Sequence, residues 1–346
     1  MEKFLCKEYK EKVLYMGQKV GHNIFDDGDS AKIWAVGGGK GGTGKSIVAT
    51  NIAVQLSRRQ KKVVIIDADL GGGNVHTYLG IRPPTVSLAD FLRNKVSRLE
   101  DVMVSTPFER LKLISDANEV LGLANTNYLQ KEKVLRCIKN LKTDYVIIDL
   151  GAGTSYNILD FFLLSNRGFL VSVPEPASIE NAYRFIRSAL HRKLIRIFNK
   201  DFMKSIFEKI MYPKYNGIKT IYDLVEQVEK EDRSVAERLV QEITSFRPKL
   251  IMNQIRNNND IILGDSITDL SKKYLGVKLK YIGYVSYDDR LKTAAQKRLL
   301  LFSEFPNCGA AICIRNIVDR LIEEQSNVQK GGINIEYQRG KTTQLL

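Results

Sequence analysis

The sequence predicts an α/β fold: a mostly parallel central sheet flanked by helices, with one helical insertion. Three observations predict it. Short runs that are apolar almost throughout, such as Val63-Val64-Ile65-Ile66 and Tyr145-Val146-Ile147-Ile148, read as strands buried on both faces, which is how parallel strands lie. Segments with apolar residues at helical spacing alternate with them, as at Ala49, Ile52, Ala53 and Leu56. Two of the runs end in a carboxylate followed by glycines, at the edge where open α/β sheets bind their ligands.

Residues 1–30 read as a leader: a short helix over Lys3 to Met16, then the polar turn Asp26-Asp27-Gly28-Asp29. From Ala31 the rhythm is strand, loop, helix. The strand Ala31 to Val36 enters a glycine-rich loop that ends at Ser46, and a helix runs from Ser46 to Ser57. A second strand ends at Asp67 and opens into Asp67-Ala68-Asp69-Leu70-Gly71-Gly72-Gly73-Asn74, a loop carrying two carboxylates two residues apart. Ser87 to Val96 and Lys131 to Leu141 read as helices, and Leu111 to Ile114 as a strand. Asp144 to Asp149 repeats the strand-to-carboxylate pattern and leads into Leu150-Gly151-Ala152-Gly153. The strand Arg167 to Val173 is broken by Pro174-Glu175-Pro176-Ala177-Ser178, with Ser178 or a neighbour capping a long helix from near Ile179.

Residues 184–245 then run without a strand and read as the helical insertion, broken near Tyr212-Pro213. The first half is basic, with Arg184, Arg187, Arg192, Lys193, Arg196, Lys200, Lys204 and Lys209; the second carries many acids, among them Asp223, Glu226 and Glu237. Strands resume at Lys249 to Asn253 and Leu279 to Ser286, with helices at Ile261 to Tyr274, Arg290 to Lys297 and Gly309 to Glu324. One domain over 31–325 is therefore expected, followed by a loosely ordered tail over 326–346 that contains Gly331-Gly332.

Gly39-Lys40-Gly41-Gly42-Thr43-Gly44-Lys45-Ser46 fits G-x-x-x-x-G-K-[ST]. That spacing between a strand and a helix lets backbone N–H groups and the helix N-terminus wrap a phosphate chain. Lys45 is placed to reach the β- and γ-phosphates and Ser46 to hold magnesium. Asp149 is placed to bind the magnesium shell and the Gly151 N–H to sense the γ-phosphate. A second lysine, Lys40, lies inside the loop.

Together these segments resemble the MinD/ParA family of deviant-Walker-A P-loop ATPases, in the class that includes nitrogenase iron protein. Lys40 to Ser46 matches the family's K-G-G-x-G-K-[ST] loop, and Asp67, Asp69 and Asn74 match its D-x-D-x-x-x-x-N switch. Asp149 to Gly153 matches the second switch. Pro174 to Ile179 looks like the P-E-P-x-S-I segment of the flagellar-number regulators within the family. Asn253 with Arg256 is similar to its adenine-contacting N-x-x-R, and Gly283 to Asp288 to a later nucleotide-side loop, with Ser286 in the place of a proline. The resemblance implies Mg-dependent ATP binding and slow, partner-stimulated hydrolysis in an ATP-dependent homodimer. Lys40 would cross to the partner's phosphates, Asp69 would position the attacking water, and Asp67 and Asp149 would support the metal. The role implied is the positioning or regulation of a cellular structure, such as flagellar placement or number, with a protein activator or cargo.

Bulk properties leave two other classes open. Lys+Arg of 53 against Asp+Glu of 39 gives +14 and a pI near 9.4, which suits polyanions. The first alternative is a partition ATPase that holds DNA non-specifically; DNA or an anionic membrane would meet the basic half of the insertion. The second is an iron–sulfur or cofactor-maturation ATPase using Cys137, Cys308 or Cys313. Four scattered cysteines without a C-x-x-C read first as buried thiols in a reducing compartment. No 18 apolar residues run together and the start has no signal-peptide pattern, so a cytoplasmic protein is expected, peripheral to membrane or nucleoid at most.

Overall fold

The computed structural model describes residues 31–69, 73–115, 128–165, 167–198, 220–299 and 301–329. The leader, the break near 212–217, Lys200, Lys204 and Lys209, and the tail beyond 329 lie outside these residues. Eight strands form one sheet in the order β3-β4-β2-β5-β1-β6-β7-β8. They are β1 (Lys32–Gly37), β2 (Val63–Ala68), β3 (Val104–Ser105), β4 (Leu111–Ile114), β5 (Tyr145–Leu150), β6 (Arg167–Ser172), β7 (Lys249–Ile255) and β8 (Lys280–Ser286). Only the two-residue edge strand β3 runs antiparallel, so the sheet is parallel everywhere the apolar runs predicted it.

Strand periodicity divides the apolar residues between two cores. On β1, Ile33 and Ala35 face one core while Trp34 and Val36 face the other. The second core is closed by helix α1 (Lys45–Arg58). Helix α2 (Val75–Tyr78) joins α1 on that core through Val75, whereas α3 (Leu88–Leu92), α4 (Tyr128–Lys139) and α5 (Tyr156–Leu164) cover the first. Trp34 sits at the middle of the second core, edge-on to Tyr145 at 5.0 Å and tilted on Phe169 at 5.3 Å.

The stretch after β6 forms the crossover to β7. It contains α6 (Pro176–Ile197), α7 (Ile221–Glu231) and α8 (Arg233–Ser245). Their buried faces, including Phe185, Leu190, Leu194, Leu224, Val228, Leu239 and Ile243, belong to the first core, where α9 (Asn258–Leu275) packs on them. Three of the described cations of its basic first half are paired internally. Arg192 makes a two-pronged bond to the fully buried Asp160 at 2.8 and 3.0 Å, Arg196 approaches the same carboxylate at 3.3 Å, and Lys193 pairs with Glu242. The described residues end with α10 (Asp289–Lys297), α11 (Leu301–Glu304) and α12 (Gly309–Gln329).

Three local expectations are corrected. The long helix starts at Pro176 with Glu175 as its N-cap, because proline at the first helical position is pre-set for the turn. Ser178 instead folds back, its hydroxyl accepting from the Val173 N–H at 3.1 Å and meeting Ser172 Oγ at 2.9 Å. The helix expected over Ser87 to Val96 ends at Leu92, because Asn94 takes a positive φ of 57°. The last helix continues through Ser326 to Gln329, into the segment expected to be loose.

Candidate functional site

β1, β2 and β5 deliver their last residues to one edge, and the parallel register sets what meets there. Asp149 pairs across with Asp67 on one side and with Val36 on the other, just before the glycine loop. The loop turns into α1 at Gly44, whose φ of 84° is left-handed and whose Cα lies against Asn253: a Cβ there would stand 2.2 Å from the Asn253 amide nitrogen. The Asn253 amide also donates to the Thr43 carbonyl at 2.8 Å, and Gln254 Nε2 reaches the Gly42 carbonyl at 3.4 Å. Gln254 holds a φ of 60° at an irregularity in the β7–β8 ladder, so β7 is bent to hold the loop. From the other side Gly39 packs on α6, where a Cβ would be 2.3 Å from the Asn181 carbonyl oxygen. The Gly153 N–H donates to the Gly38 carbonyl at 3.3 Å.

Lys45 lies buried beneath this loop, its ammonium donating to the Lys40 carbonyl at 3.2 Å. Burial pushes its pKa down, while Asp149 and Asp69 pull it back up. Asp149 is fully buried and neither of its oxygens has a hydrogen-bond partner; the Ser46 hydroxyl lies beside it without hydrogen-bonding geometry. Burial first, and Asp67 second, push its carboxyl well above the usual carboxylate range. Asp67 is better supplied, accepting from the Val75 N–H at 3.1 Å and the Asp69 N–H at 3.3 Å. Asn74 caps α2 at that point, and a Cβ on Gly73 would come within 2.5 Å of the Asp67 carboxylate. Asp69 lies over Gly151, where a Cβ would be 2.5 Å from its Oδ1. Tyr78 on α2 faces the same carboxylates: burial, then Asp149 and Asp67, push its hydroxyl up.

The structure therefore gathers Gly39 to Ser46, Asp67, Asp69, Asn74, Asp149, Gly151 and Asn253 at one end of the sheet. Asp288 is placed differently. Its carboxylate is clamped by the Arg290 guanidinium at 2.8 and 3.0 Å. Lys40 does not enter the loop but reaches out to Glu175 Oε2 at 2.6 Å. Sequence reasoning missed Glu175, Gln254, Asn181 and Tyr78 as parts of the site. Pro174-Glu175-Pro176 was a visible signal for the first, but nothing local ties it to a residue 135 positions earlier.

The residues present fit magnesium. A fully buried carboxylate with two orphaned oxygens beside a second carboxylate is a strained arrangement that a cation relieves, and all the donors are hard oxygens. Among the described residues no group of three or more His, Cys, Asp or Glu could hold a metal alone. That suits an ion completed by phosphates and water, which is how magnesium is usually held. The described cysteines do not converge: Cys308 is buried in the second core, whereas Cys137 packs against the first. Cys313 contacts Ser286.

Beside the site, Thr154 on the loop after β5 and Glu180, Tyr183, Arg184, Arg187 and Ser188 on α6 line a cleft of about 400 Å³. No helix among the described residues is long and apolar enough to cross a membrane.

A ParA family profile, described as an NUBPL iron-transfer P-loop NTPase, matches residues 29–200. The chain is 23% identical over 292 residues to the antiactivator FleN of Pseudomonas aeruginosa, covering 84% of this chain and 86% of that one. It is 29% identical over 201 residues to the flagellum site-determining protein YlxH of Helicobacter pylori, covering 56% and 63%. An uncharacterized ATP-binding protein of Methanocaldococcus jannaschii is 30% identical over 194 residues, covering 56% and 70%. Among solved structures, the septum site-determining protein MinD complexed with Mg-ADP from Pyrococcus horikoshii shares the fold with a TM-score of 0.57 at 18% identity, covering 86% and 98%. The MinC:MinD cell division complex of Aquifex aeolicus does so at 0.56 and 20%, covering 88% and 98%.

Proposed function

This chain belongs to the ParA/MinD family of P-loop NTPases, and on that premise we propose that it is an ATP-timed switch that dimerises with ATP, hydrolyses it slowly and positions or regulates a cellular structure. The names of the FleN and YlxH relatives favour flagellar placement or number as the output. The observation that carries the reading is the division of labour between two lysines. Lys45 is buried under the loop, whereas Lys40 is 38% exposed and points away from its own phosphate site.

In this mechanism the loop N–H groups from Gly39 to Ser46 bind the phosphate chain of ATP, and Lys45 supplies a desolvated positive charge to its β- and γ-oxygens. Ser46, Asp67 and Asp149 would hold magnesium, which would offset the negative charge that develops on the transferring phosphoryl group. Asp69, resting on Gly151, orients the attacking water for in-line displacement. Lys40 leaves Glu175 and enters the partner protomer's site, a cation that arrives only in the dimer and stabilises the charge spread over the transferring phosphoryl group. Asn253, already holding the Thr43 carbonyl, contributes its remaining amide oxygen to recognition of the base, and Asn74 and Gly151 respond to the γ-phosphate as switches. Asp288 acts on the nucleotide side only after release from Arg290. The 400 Å³ cleft supports an activator or cargo protein, because Thr154 lies on the switch loop and Arg187 faces the opening without an ion pair to a described residue.

The DNA-partition alternative draws on the +14 charge, but among the described residues of the basic half Arg192, Lys193 and Arg196 are held by Asp160 and Glu242. Size-exclusion chromatography with light scattering, run with ATP and with ADP, tests the main reading. A dimer with ATP alone is expected, lost in Lys40→Ala; a monomer in both nucleotides rejects it. Repeating the measurement with duplex DNA and with anionic vesicles separates a nucleoid or membrane partner from a protein one.

A further inference from the structure

At the opposite end of the sheet, the amino-terminal ends of β2, β4 and β5 surround a second cleft of about 520 Å³. Its apolar floor is made by the buried Val64 and Leu141 with the half-buried Met103, all on the side of the first core. Its rim is basic: Lys62, Arg98, Arg110, Lys112 and Lys142 stand against Glu100 and Glu109, five cations to two carboxylates.

Part of this charge is answered locally: Glu100 feels both Arg98 and Lys142, and the Asp144 carboxylate accepts from the Lys62 N–H at 2.6 Å. Arg98 meets Glu100 at 3.4 Å, but Arg110 donates to the neutral Gln60 Oε1 at 2.8 Å and Lys112 to Ser105 Oγ at 2.8 Å. The ammonium groups of Lys62 and Lys142 make no ion pair with any described residue, and both side chains are exposed. Like charges gathered around a cleft raise the free energy of the folded chain, and an anion seated among them lowers it. The shape narrows the class of anion. A volume in the small-molecule range of roughly 300–1,000 Å³ with an apolar floor suits a compact organic ligand, whereas a duplex or a bilayer would touch only the rim.

We propose that this cleft is a second ligand site, separate from the glycine loop, that takes a phosphorylated organic molecule of about mononucleotide size. The phosphate sits among the rim cations and the less polar part lies over Val64, Met103 and Leu141. The two sites share strands: Val63 and Asp67 stand at opposite ends of β2, about 13 Å apart at roughly 3.3 Å per residue. Nothing in this inference depends on the activity proposed for the loop.

Isothermal titration of the full-length Lys45→Ala chain, in which the glycine loop lacks its buried cation, with adenosine 5′-monophosphate tests it, with inorganic phosphate, a short DNA duplex and phosphatidylglycerol vesicles as parallel probes. The nucleotide is expected to bind once per chain and at least tenfold more tightly than inorganic phosphate. Lys62→Ala and Lys142→Ala are each expected to weaken it by about tenfold, as loss of a charge-assisted contact does. Met103→Ser is expected to weaken the nucleotide but not phosphate. Thermal midpoints of the lysine variants should match the parent, since neither side chain is packed. The proposal is overturned by the absence of nucleotide binding to that chain, by equal affinity for nucleotide and inorganic phosphate, or by binding that the Lys62 and Lys142 substitutions leave unchanged. It is equally overturned if the duplex or the vesicles bind through Lys62 and Lys142 while the nucleotide does not.

Discussion

Replacing Lys40 with alanine separates what that residue does for the monomer from what it does for chemistry. In the monomer its one strong contact is the 2.6 Å ion pair with Glu175, whose side chains are 38% and 57% exposed. A pair so open to solvent contributes at most about 1 kcal/mol, the upper end for surface salt bridges. At roughly 2–4 °C per kcal/mol for a large domain, Lys40→Ala should move the melting temperature by no more than about 4 °C. Free energy of that size changes a rate by about fivefold at most. A trans-acting cation in phosphoryl transfer is instead worth about 10³–10⁵ in turnover. Phosphate release at saturating MgATP, nucleotide affinity and thermal melts on the same preparation distinguish the two. The expected result is near-normal ATP binding and stability with turnover reduced at least a thousandfold. Turnover within about fivefold of the parent would refute the reasoning, because the Glu175 pair alone could then account for it. Glu175→Gln is the complementary change: it frees Lys40, so ATP-dependent dimerisation should tighten by up to about fivefold per protomer while turnover is maintained.

Three further outcomes are expected. Lys45→Ala should abolish nucleotide binding by equilibrium dialysis, since it removes the one buried cation under the loop; retained affinity contradicts the site. Asp149→Asn should raise the melting temperature of the nucleotide-free protein near neutral pH. Its carboxyl is pushed up on folding, so the folded chain holds the extra proton and the buried charge costs stability as pH rises from about 4. The same variant should lose the added stabilisation from Mg-nucleotide, and a variant still stabilised by both would place the metal elsewhere. Lys249, buried against Glu324 at 2.5 Å, has its pKa pushed down to about 8 by burial, with Glu324 opposing. Between pH 8 and about 10.5 the unfolded chain therefore holds more protons than the folded one, and this group adds stability as pH rises. Urea unfolding at pH 7 and pH 9.5 should show the parent gaining on Lys249→Met; parallel pH dependence would contradict it.

The fold was legible because its signals are local. A strand buried on both faces must be apolar along its length, so β2, β5 and β6 could be read without knowing their neighbours. The glycine loop and the carboxylates at Asp67 and Asp149 were legible for the same reason, since β–loop–α geometry demands those residue types at fixed offsets. What escaped depends on contacts between distant residues. The Asn253 bond to Thr43 spans 210 positions, and the Lys40 pair spans 135. Helix α5 escaped notice because Tyr156 to Leu164 is apolar nearly all round, and without a polar face its period is hard to see. The basic segment after Arg184 looked like a surface for anions, but the buried Asp160, 32 residues before Arg192, claims its guanidinium.

The glycine loop is tied on three sides: to β7 through Asn253 and Gln254, to α6 through the close approach of Gly39 to Asn181, and to the segment after β5 through Gly153. A ligand that moved the loop would strain at least one of those contacts, each of which is an outlet for the displacement. Thermodynamic reciprocity then applies at every such outlet. A protein that grips one of them and resists the movement must weaken nucleotide binding by the same factor by which the nucleotide weakens its grip. The tether would therefore make nucleotide affinity a readout of what the protein is attached to.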